Sequence, residues 1–501
     1  MALNTTGSSQ PAPVLLCNQT LASISDAVVR PVYDRSALIP GIVHIGLGNF
    51  HRAHQAWYSH QLMQQGHSMD WAIVGAGVRA DDAKQRAKLL RQDFLTTLIQ
   101  LDPNGKTAEI VGSMIDYVPI ETDNAALIKQ LAHPLIRIAS LTVTEGGYYI
   151  DQSTGEFDSA SEDMTHDAKN PGKPRTAFGA MIEALRIRRA SDLKPFTCMS
   201  CDNLQGNGDI LRQTIVSLAQ LSDPELADWI SKHCAFPNSM VDCIVPATGD
   251  KELALVKTYN IDDAVPVTHE NFRQWVLEDK FTDGRPNWEQ AGVTITDNVH
   301  DYEAMKLRIL NGGHQIIANA GEVISINQID QCMDNASIKA FFRKVASTEI
   351  AHTVTPVPGM TPDAYVDLVD SRFSNPEIID TVRRVAFDGS SRHPAFLLPT
   401  ILDVVNSERS FEGLALTEAL WARMCFGERE DGTTIEANDP NWDSLNTAAK
   451  QSKVNPSLWL QQPNFYGELA QHSKYSERFS YWLNKVWEDG TESAIQAYLE
   501  M

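Results

Sequence analysis

A short apolar strand that runs directly into two closely spaced glycines limits the fold of this chain more than any other feature. Residues 41–54 read GIVHIGLGNFHRAH, so a β-strand is predicted to end at Gly46 and a helix to begin after Gly48. Gly46 allows a tight turn, and Gly48 lets the backbone approach a ligand closely. In doubly wound sheets this arrangement aims a helix N-terminus at the pyrophosphate of a dinucleotide. His51 stands where the usual fingerprint has its third glycine, so an ordinary strand-to-helix turn stays open as the alternative.

Apolar runs and helical patterns alternate through the first half of the chain. Strands are predicted at residues 42–45, 71–78, 95–101, 109–114, 136–144 and 195–200, and helices at 52–65, 81–90, 124–131 and 175–189. This alternation predicts a doubly wound, mostly parallel sheet of the α/β class. The polar segment 151–173 is predicted to be a long surface loop.

From about Asn298 the pattern becomes mainly helical. Helices are predicted at residues 302–320, 336–351, 376–385, 394–405, 414–425 and 476–486. Because 501 residues exceed one ordinary domain, we predict two. Residues 1–297 form a Rossmann-type, NAD-binding domain, and residues 298–501 form a mainly α-helical domain with the substrate and catalytic groups.

Composition argues against several classes of protein. A net charge of −22 repels phosphate backbones, so no nucleic-acid partner is expected. No segment has the length of a membrane helix, and the first residues lack the pattern of a signal peptide, which predicts a cytoplasmic protein with no membrane partner. The seven cysteines are odd in number and widely spread, which argues against a disulfide framework. Cys198 and Cys201 are predicted to be structural, and no Cys/His cluster has zinc-ligand spacing, so no metal is expected.

The end of the second predicted strand indicates which dinucleotide is bound. The run WAIVGAGVRADD, residues 71–82, ends in Asp81 and Asp82. A carboxylate at this place binds the adenosine ribose and repels a 2′-phosphate, which favours NAD over NADP. Arg79 lies close enough to weaken that preference, and an aspartate that caps the next helix is the alternative.

The segment EAMKLRILNGGH, residues 303–314, is the most informative about chemistry. It has a helical pattern, and at about 100° per residue Asn311 lies about 140° and His314 about 80° from Lys306. Lysine is a poor base at its usual pKa of about 10.4, but burial disfavours the charged form. Lys306 is therefore a candidate base for an alcohol proton, with Asn311 donating to the developing alkoxide and His314 orienting a substrate hydroxyl. The alternative is a helix with one partly buried polar stripe.

A second asparagine follows a predicted strand in the run SCDNLQGNG, residues 200–208. Ligands of open parallel sheets bind beyond the carboxyl ends of the strands. Asn203 is therefore a candidate to form an oxyanion hole with Asn311, and a simple turn residue is the alternative.

Together these segments resemble the polyol-specific long-chain dehydrogenases and reductases, and among them the mannitol dehydrogenases most. The resemblance covers nearly the whole chain after about Arg35, in the stretches GIVHIGLGNFHRAHQAWY, SLTVTEGGY, MSCDNLQGNG, FRQWVLEDKF, EAMKLRILNGGH and RFSNPEI…RRVAFDGSSR. The K-x4-N-x2-H pattern is the active-site signature of that family. The resemblance implies a Rossmann-type domain followed by a helical domain, and a monomer.

The resemblance also implies roles for the matched residues. The catalytic group contains the general base Lys306, the oxyanion-hole residues Asn203 and Asn311, and the substrate ligand His314. Further substrate contacts fall on Asp242, Arg384 and Arg392, and a proton path to solvent falls on Glu145 and Glu303. The cofactor-binding positions are Gly46, Gly48, Asn49, Phe50, Asp81 and Asp82.

Two departures leave the exact sugar open. Mannitol dehydrogenases usually have lysine where Arg392 stands and arginine where Cys243 stands. The hypothesis is reversible, metal-independent hydride transfer between NAD and a polyol–ketose pair, D-mannitol and D-fructose. The alternatives are a fructuronate or tagaturonate reductase, an arabinitol or sorbitol dehydrogenase, and, from another class, a non-catalytic NAD- or sugar-binding sensor.

Overall fold

The structure is a computed structural model that describes residues 12–150, 155–407 and 409–501, and only the backbone of Glu145. The chain forms two compact units, Met1–Val299 and His300–Met501. The first is of the Rossmann α/β type and the second is mainly helical, which confirms the predicted fold class. Within the described ranges, none of the helices has the length and hydropathy that crossing a membrane requires.

The core of the first unit is a five-stranded parallel sheet, here called the main sheet. In spatial order its strands are Met114–Tyr117, Ala72–Ala76, Pro40–Ile45, Ile138–Leu141 and Thr197–Ser200. The earliest of these strands in the sequence lies in the middle, so the strand order reverses beside it. Ligands of doubly wound sheets bind at such a switch point, beyond the carboxyl ends of the strands.

Helices cover both faces of the main sheet, which explains why its strands are continuous apolar runs. Val43 and Ile45 face one hydrophobic core, and Ile42, the residue before Val43, points to the opposite face and packs in another. The described helices of this unit are Asn49–Ala53, Gln55–Gln64, Asp82–Arg91, Ala125–Ala132, Glu162–Lys169, Ala177–Ala190, Asn207–Ser222, Pro224–His233 and Asp250–Thr258.

The strand predicted at 95–101 and the first part of the strand predicted at 109–114 do not belong to the main sheet. Thr96–Asp102 pairs antiparallel with Gly105–Val111, and Val28–Val29 and Val267–Glu270 extend this hairpin into a separate four-stranded sheet. The strand predicted at 109–114 was wrong, because it joined the end of the hairpin to the start of the main-sheet strand at Met114. Residues 110–114 are all buried, so hydrophobicity did not mark the change of sheet. A three-stranded sheet contains Ser239–Asp242, Gln274–Glu278 and Thr294–Thr296.

The loop predicted at 151–173 was also wrong in part. Residues 151–154 lie outside the described ranges, but Glu162–Lys169 is a helix. Ser161 accepts a hydrogen bond from the Met164 N–H at 3.4 Å, which caps the helix. A serine followed by two acids is a helix-start signal, and the polar composition of the segment obscured it.

The second unit consists of helices joined end to end by turns. Its α-helices are His300–Met305, Gly312–Val323, Ile329–Asp334, Ala336–Val345, Pro362–Phe373, Val382–Val385, Gly389–Arg392, Leu398–Asn406, Glu412–Cys425, Trp442–Ser452, Ser473–Asp489 and Thr491–Leu499. Among the described residues, three π-helical turns interrupt them, at Lys306–Asn311, Ala346–Ile350 and His393–Leu397. The helix predicted at 376–385 was wrong except for its last turn, because the Thr381 hydroxyl caps Arg384 N at 3.2 Å and starts the helix there.

Candidate active site

The glycine turn, defined as residues 46–48, follows the central strand of the main sheet. Gly46 has a φ of +92°, and a Cβ there would lie 2.1 Å from the Thr142 carbonyl oxygen, so only glycine fits. At Gly48, by contrast, no described atom lies within 4 Å of the place of a Cβ. The turn therefore has an open backbone surface of the kind that a pyrophosphate needs.

The residues after the turn are held by their own side chains. Asn49 donates from Nδ2 to the Pro246 carbonyl oxygen and to Thr248 Oγ1, both at 2.9 Å. The Phe50 ring stacks on His54 with 4.8 Å between centroids. His51, at the place of the missing third glycine, is buried and stacks on His44 at 3.4 Å. The turn thus offers a ligand its backbone, while these side chains anchor it.

The two aspartates at the end of the second strand differ in environment. Asp82 Oδ2 accepts from the backbone N–H groups of Val78 and Arg79 at 3.0 and 2.9 Å. Asp81 is exposed and pairs with Lys84 at 2.8 Å, a hydrogen bond that lowers the pKa of its carboxyl. Asp82 therefore lies against the turn that follows the strand, whereas Asp81 faces solvent. Neither side chain caps the helix Asp82–Arg91, so the alternative role of a helix-capping aspartate was wrong.

Asn203 is exposed, in a loop just beyond the last strand of the main sheet. Asp202 fixes this loop by accepting from Val143 N at 3.0 Å and Thr144 N at 2.9 Å. Asn207 donates from Nδ2 to the carbonyl oxygen of Asp202 at 3.0 Å. Sequence reasoning missed the roles of Asp202 and Asn207, although an acid and an amide within one tight loop were a usable signal.

Hydrogen bonds of Asn207 and Asp202 also hold the strand that ends at Asp242 and the turn that contains Glu145. Asn207 exchanges hydrogen bonds with the backbone of Ser239, the first residue of the strand that ends at the buried Asp242. The Tyr148 hydroxyl donates to Asp202 Oδ2 at 2.7 Å, which fixes the short helical turn Glu145–Tyr148. The hydrogen bonds of Asp202 and Asn207 thus connect the loop that contains Asn203 with the start of the strand that ends at Asp242 and with the turn that begins at Glu145.

In the second unit, the segment Lys306–Asn311 is a π-helical turn rather than a regular α-helix. The angle of about 140° between Lys306 and Asn311 was therefore wrong, because it assumed an α-helix. In a π-helix, hydrogen bonds join residues five apart, which is the separation of these two side chains. His314 follows Asn311 by three residues in Gly312–Val323, a spacing that puts both on one helix face. The buried Lys306 therefore shares a face with the two predicted partners.

The surroundings of His314 suit a neutral hydrogen-bonding group. Its ring stacks on Phe373 with 4.2 Å between centroids, and Nε2 is buried with no hydrogen-bond partner among the described residues. Burial lowers the pKa of His314 to about 3, an effect that Asp380 opposes and Arg384 and Arg392 reinforce. The imidazole is therefore neutral near pH 7, and Arg384 and Arg392 are close enough to act on it.

The two arginines are bound within their own segment. Arg384 donates from Nε to Asp380 Oδ1 at 2.6 Å and from Nη2 to Asp380 Oδ2, so its fork is paired with a carboxylate. Arg392 donates from Nη1 to the carbonyl oxygens of Val385 and Arg384. Sequence reasoning missed Asp380, which lies four residues before Arg384 with only a short turn between them.

Glu303 is buried one turn before Lys306, and its Oε2 lies 2.9 Å from Nδ1 of the half-exposed His300. A carboxylate in contact with a solvent-facing imidazole has the chemistry of a proton exit. The side chain of Glu145 lies outside the described atoms. Cys198 and Cys201 are buried free thiols, and the described His, Cys, Asp and Glu side chains form no group of three suited to a metal ion.

Two family profiles match the chain almost end to end. Residues 40–290 match the mannitol dehydrogenase Rossmann domain, and residues 298–487 match the mannitol dehydrogenase C-terminal domain. The chain is 51% identical to mannitol 2-dehydrogenase of Cereibacter sphaeroides over 473 residues, which are 94% of this chain and 99% of that protein.

Two solved structures are similar over nearly the whole chain. Mannitol 2-dehydrogenase of Pseudomonas fluorescens, in a ternary complex with NAD and D-mannitol, matches with a TM-score of 0.88 and 37% identity, over 97% of this chain and all of that one. Substrate-free D-sorbitol dehydrogenase matches with a TM-score of 0.89 and 36% identity, over 96% of this chain and all of that one. These relatives act on different polyols, so the fold by itself leaves the sugar open.

Proposed function

The chain belongs to the mannitol dehydrogenase family, a family of oxidoreductases acting on CH–OH groups, and from that premise we propose that it interconverts D-mannitol and D-fructose with NAD. The observation that supports the proposal is the π turn, in which Lys306 and Asn311 are five residues apart and which precedes the buried His314, whose Nε2 has no hydrogen-bond partner among the described residues. Residues 1–297 bind the cofactor, and residues 298–501 carry the base. The monomeric state and the cytoplasmic location stay predictions.

The proposed chemistry follows from the side chains. Lys306 takes the proton of the reacting hydroxyl, and Asn203 and Asn311 donate to the oxygen as negative charge develops on it. His314 and Asp242 hold neighbouring hydroxyls of the polyol. Glu303, with His300, passes the proton of Lys306 to solvent, a role that the family resemblance also gives Glu145.

The glycine turn and Asp82 support NAD as the cofactor. When bound, NAD supplies the ring that accepts the hydride. The backbone of the turn holds the pyrophosphate, and the Asp82 carboxylate binds the ribose hydroxyls and repels a 2′-phosphate. No group of the chain is assigned to a metal, since a buried amine and two amides supply the base and the oxyanion donors.

The pairing of Arg384 supports a neutral sugar over a uronate. A guanidinium binds a substrate carboxylate best with both arms of its fork. In Arg384 those arms are bound to Asp380, and Arg392 is bound to backbone carbonyl oxygens. To bind Arg384, the carboxylate of a uronate would have to displace Asp380, and breaking that ion pair costs free energy. Fructose has no carboxylate, so its binding does not require this step.

Oxidation of NADH by the purified protein tests the substrate. After exhaustive treatment with EDTA, we expect kcat/KM for fructose to exceed that for fructuronate by about 100-fold or more, since a site built for hydroxyls leaves a carboxylate unpaired. Sorbose and NADPH are tested in parallel. A preference for fructuronate would recast Arg384 and Arg392 as a carboxylate clamp, and loss of turnover with EDTA would contradict a metal-free reaction.

Replacing His314 with phenylalanine tests its role as a substrate ligand. The ring stacking on Phe373 is kept and the hydrogen bond is lost, so KM for fructose should rise about 2- to 10-fold. Because the pKa of His314 is about 3, the pH dependence of kcat/KM from about pH 5 to 9 should keep its shape. A wild-type inflection near pH 6.5 that disappears in His314→Phe would show that the imidazole titrates and would contradict this assignment.

A further inference from the structure

Arg52 is a buried cation beneath the glycine turn. It is 1% exposed, in the helix Asn49–Ala53. Its guanidinium donates from Nε to the Gly48 carbonyl oxygen at 3.3 Å, from Nη2 to Asn49 Oδ1 at 2.6 Å, and from Nη1 to the Val265 carbonyl oxygen. These acceptors are all uncharged, and none of the described carboxylates forms an ion pair with it. Three of its five N–H donors are used.

The charge of Arg52 is therefore poorly compensated within the protein. Asp263 is the acid that acts on it, but this carboxylate accepts from Thr97 N, Gln92 Nε2 and Val265 N at 2.7 to 2.8 Å. Burial lowers the pKa of Arg52 to about 10, so the guanidinium stays charged at pH 7. Asp263 offsets part of the cost of burying this charge, but it forms no direct ion pair with Arg52, so a bound anion nearby would stabilise the guanidinium further.

The hydrogen bond to Gly48 also sets the direction of the next peptide N–H. In a trans peptide, the C=O and the N–H point to opposite sides. Because Arg52 binds the Gly48 oxygen, the Asn49 N–H of the same peptide points away from Arg52. Asn49 is in turn fastened through its side chain to Pro246 and Thr248. Arg52 and Asn49 therefore lock this peptide in one of its two possible orientations.

We propose that Arg52 is a positioning residue for the pyrophosphate of the dinucleotide. It holds the peptide between Gly48 and Asn49 with the N–H turned toward the ligand, and it supplies, behind that peptide, a positive charge that has no direct ion pair among the described residues. The inference rests on the proposed binding of NAD. Arg52 should therefore strengthen the binding of ligands that contain the diphosphate, and it should not affect the binding of adenosine alone.

Ligand binding by Arg52→Met and Arg52→Lys in the full chain tests this. NADH binding is followed by its fluorescence, and ADP-ribose and adenosine are measured by competition with NADH. In Arg52→Met, the Kd for NADH and ADP-ribose should rise about 10- to 100-fold, while the Kd for adenosine changes less than about 3-fold. Arg52→Lys keeps the charge but loses the fork, so its Kd values should be intermediate. At saturating NADH, kcat should stay within about 3-fold of the wild type, since the reacting groups are unchanged.

Arg188→Met is the matched control. Arg188 is also buried and donates to the carbonyl oxygens of Lys194 and His133. Both acceptors come before strands of the main sheet, at the amino ends of the strands, whereas the glycine turn lies at the carboxyl ends. Its loss should lower the melting temperature without changing the Kd for NADH. Equal weakening of ADP-ribose and adenosine binding, or unchanged NADH binding in Arg52→Met, overturns the proposal, and Arg52→Lys decides if Arg52→Met does not fold. Failure of the wild type to bind NADH would instead refute the proposed cofactor itself.

Discussion

Lys306→Ala is expected to lower kcat about 100- to 10,000-fold, which is the usual contribution of a positioned general base. Lys306 is 7% exposed and lies at the start of the π turn that also contains Asn311. Without its amine, the site helix, defined as residues 300–323, loses the group to which the proposed mechanism gives the alcohol proton. The Kd for NADH should stay within about 3-fold of the wild type, because cofactor binding is assigned to the first unit. Stopped-flow oxidation of NADH by fructose measures the rate.

A chemical rescue separates a lost base from a damaged fold. Added methylamine should restore part of kcat in Lys306→Ala, with an efficiency that rises with pH as free amine forms. Lys339→Ala is the control, since Lys339 is a partly exposed lysine of the same unit that contacts Asp370 at 3.4 Å. It should keep the wild-type kcat. Retained wild-type turnover in Lys306→Ala would show that another group is the base.

Much of the fold could be predicted from the sequence because the strands of the main sheet are buried on both faces. Their continuous apolar runs and the glycine turn were enough to identify a Rossmann-type unit. The same property concealed the hairpin, since Gly105–Val111 and Met114–Tyr117 are joined by buried residues and differ in partner but not in hydrophobicity. Strand pairing depends on contacts distant in the sequence, which local patterns do not contain.

The sequence named a set of candidate site residues but did not predict their geometry. The K-x4-N-x2-H spacing named Lys306, Asn311 and His314, yet a regular helix would have spread Lys306 and Asn311 far apart around its axis. The spacing did not reveal the π turn, nor the close packing after it, where a Cβ on Gly313 would lie 2.6 Å from the Phe342 ring. Supporting residues such as Asp202 and Asp380 were not singled out, because their value lies in partners that only the folded chain brings near.

Asn311→Ala is expected to lower kcat about 100- to 1,000-fold, the typical loss for one oxyanion donor. The effect should fall on kcat and hardly on the Kd for NADH, because the amide donates to charge that develops during the reaction. Asn311→Asp keeps the shape of the side chain but puts a negative charge at the developing alkoxide, so its loss should be larger. Single-turnover oxidation of bound NADH by fructose gives the rate of the chemical step.

Asn203, the second predicted oxyanion donor, makes it possible to test whether both amides act on the same substrate oxygen. Asn203→Ala alone should also lower kcat about 100-fold, and the double variant should lose less than the product of the two single losses, since residues that stabilise one atom are not additive. Asn335→Ala, which removes a helix cap that binds Ser337 N at 3.0 Å in the second unit, should change stability and leave kcat unchanged. If the losses at Asn203 and Asn311 multiplied independently, the two amides would act on different parts of the substrate. The oxygen would then have only one of them as its donor, and the missing stabilisation would have to come from Lys306 in its protonated form.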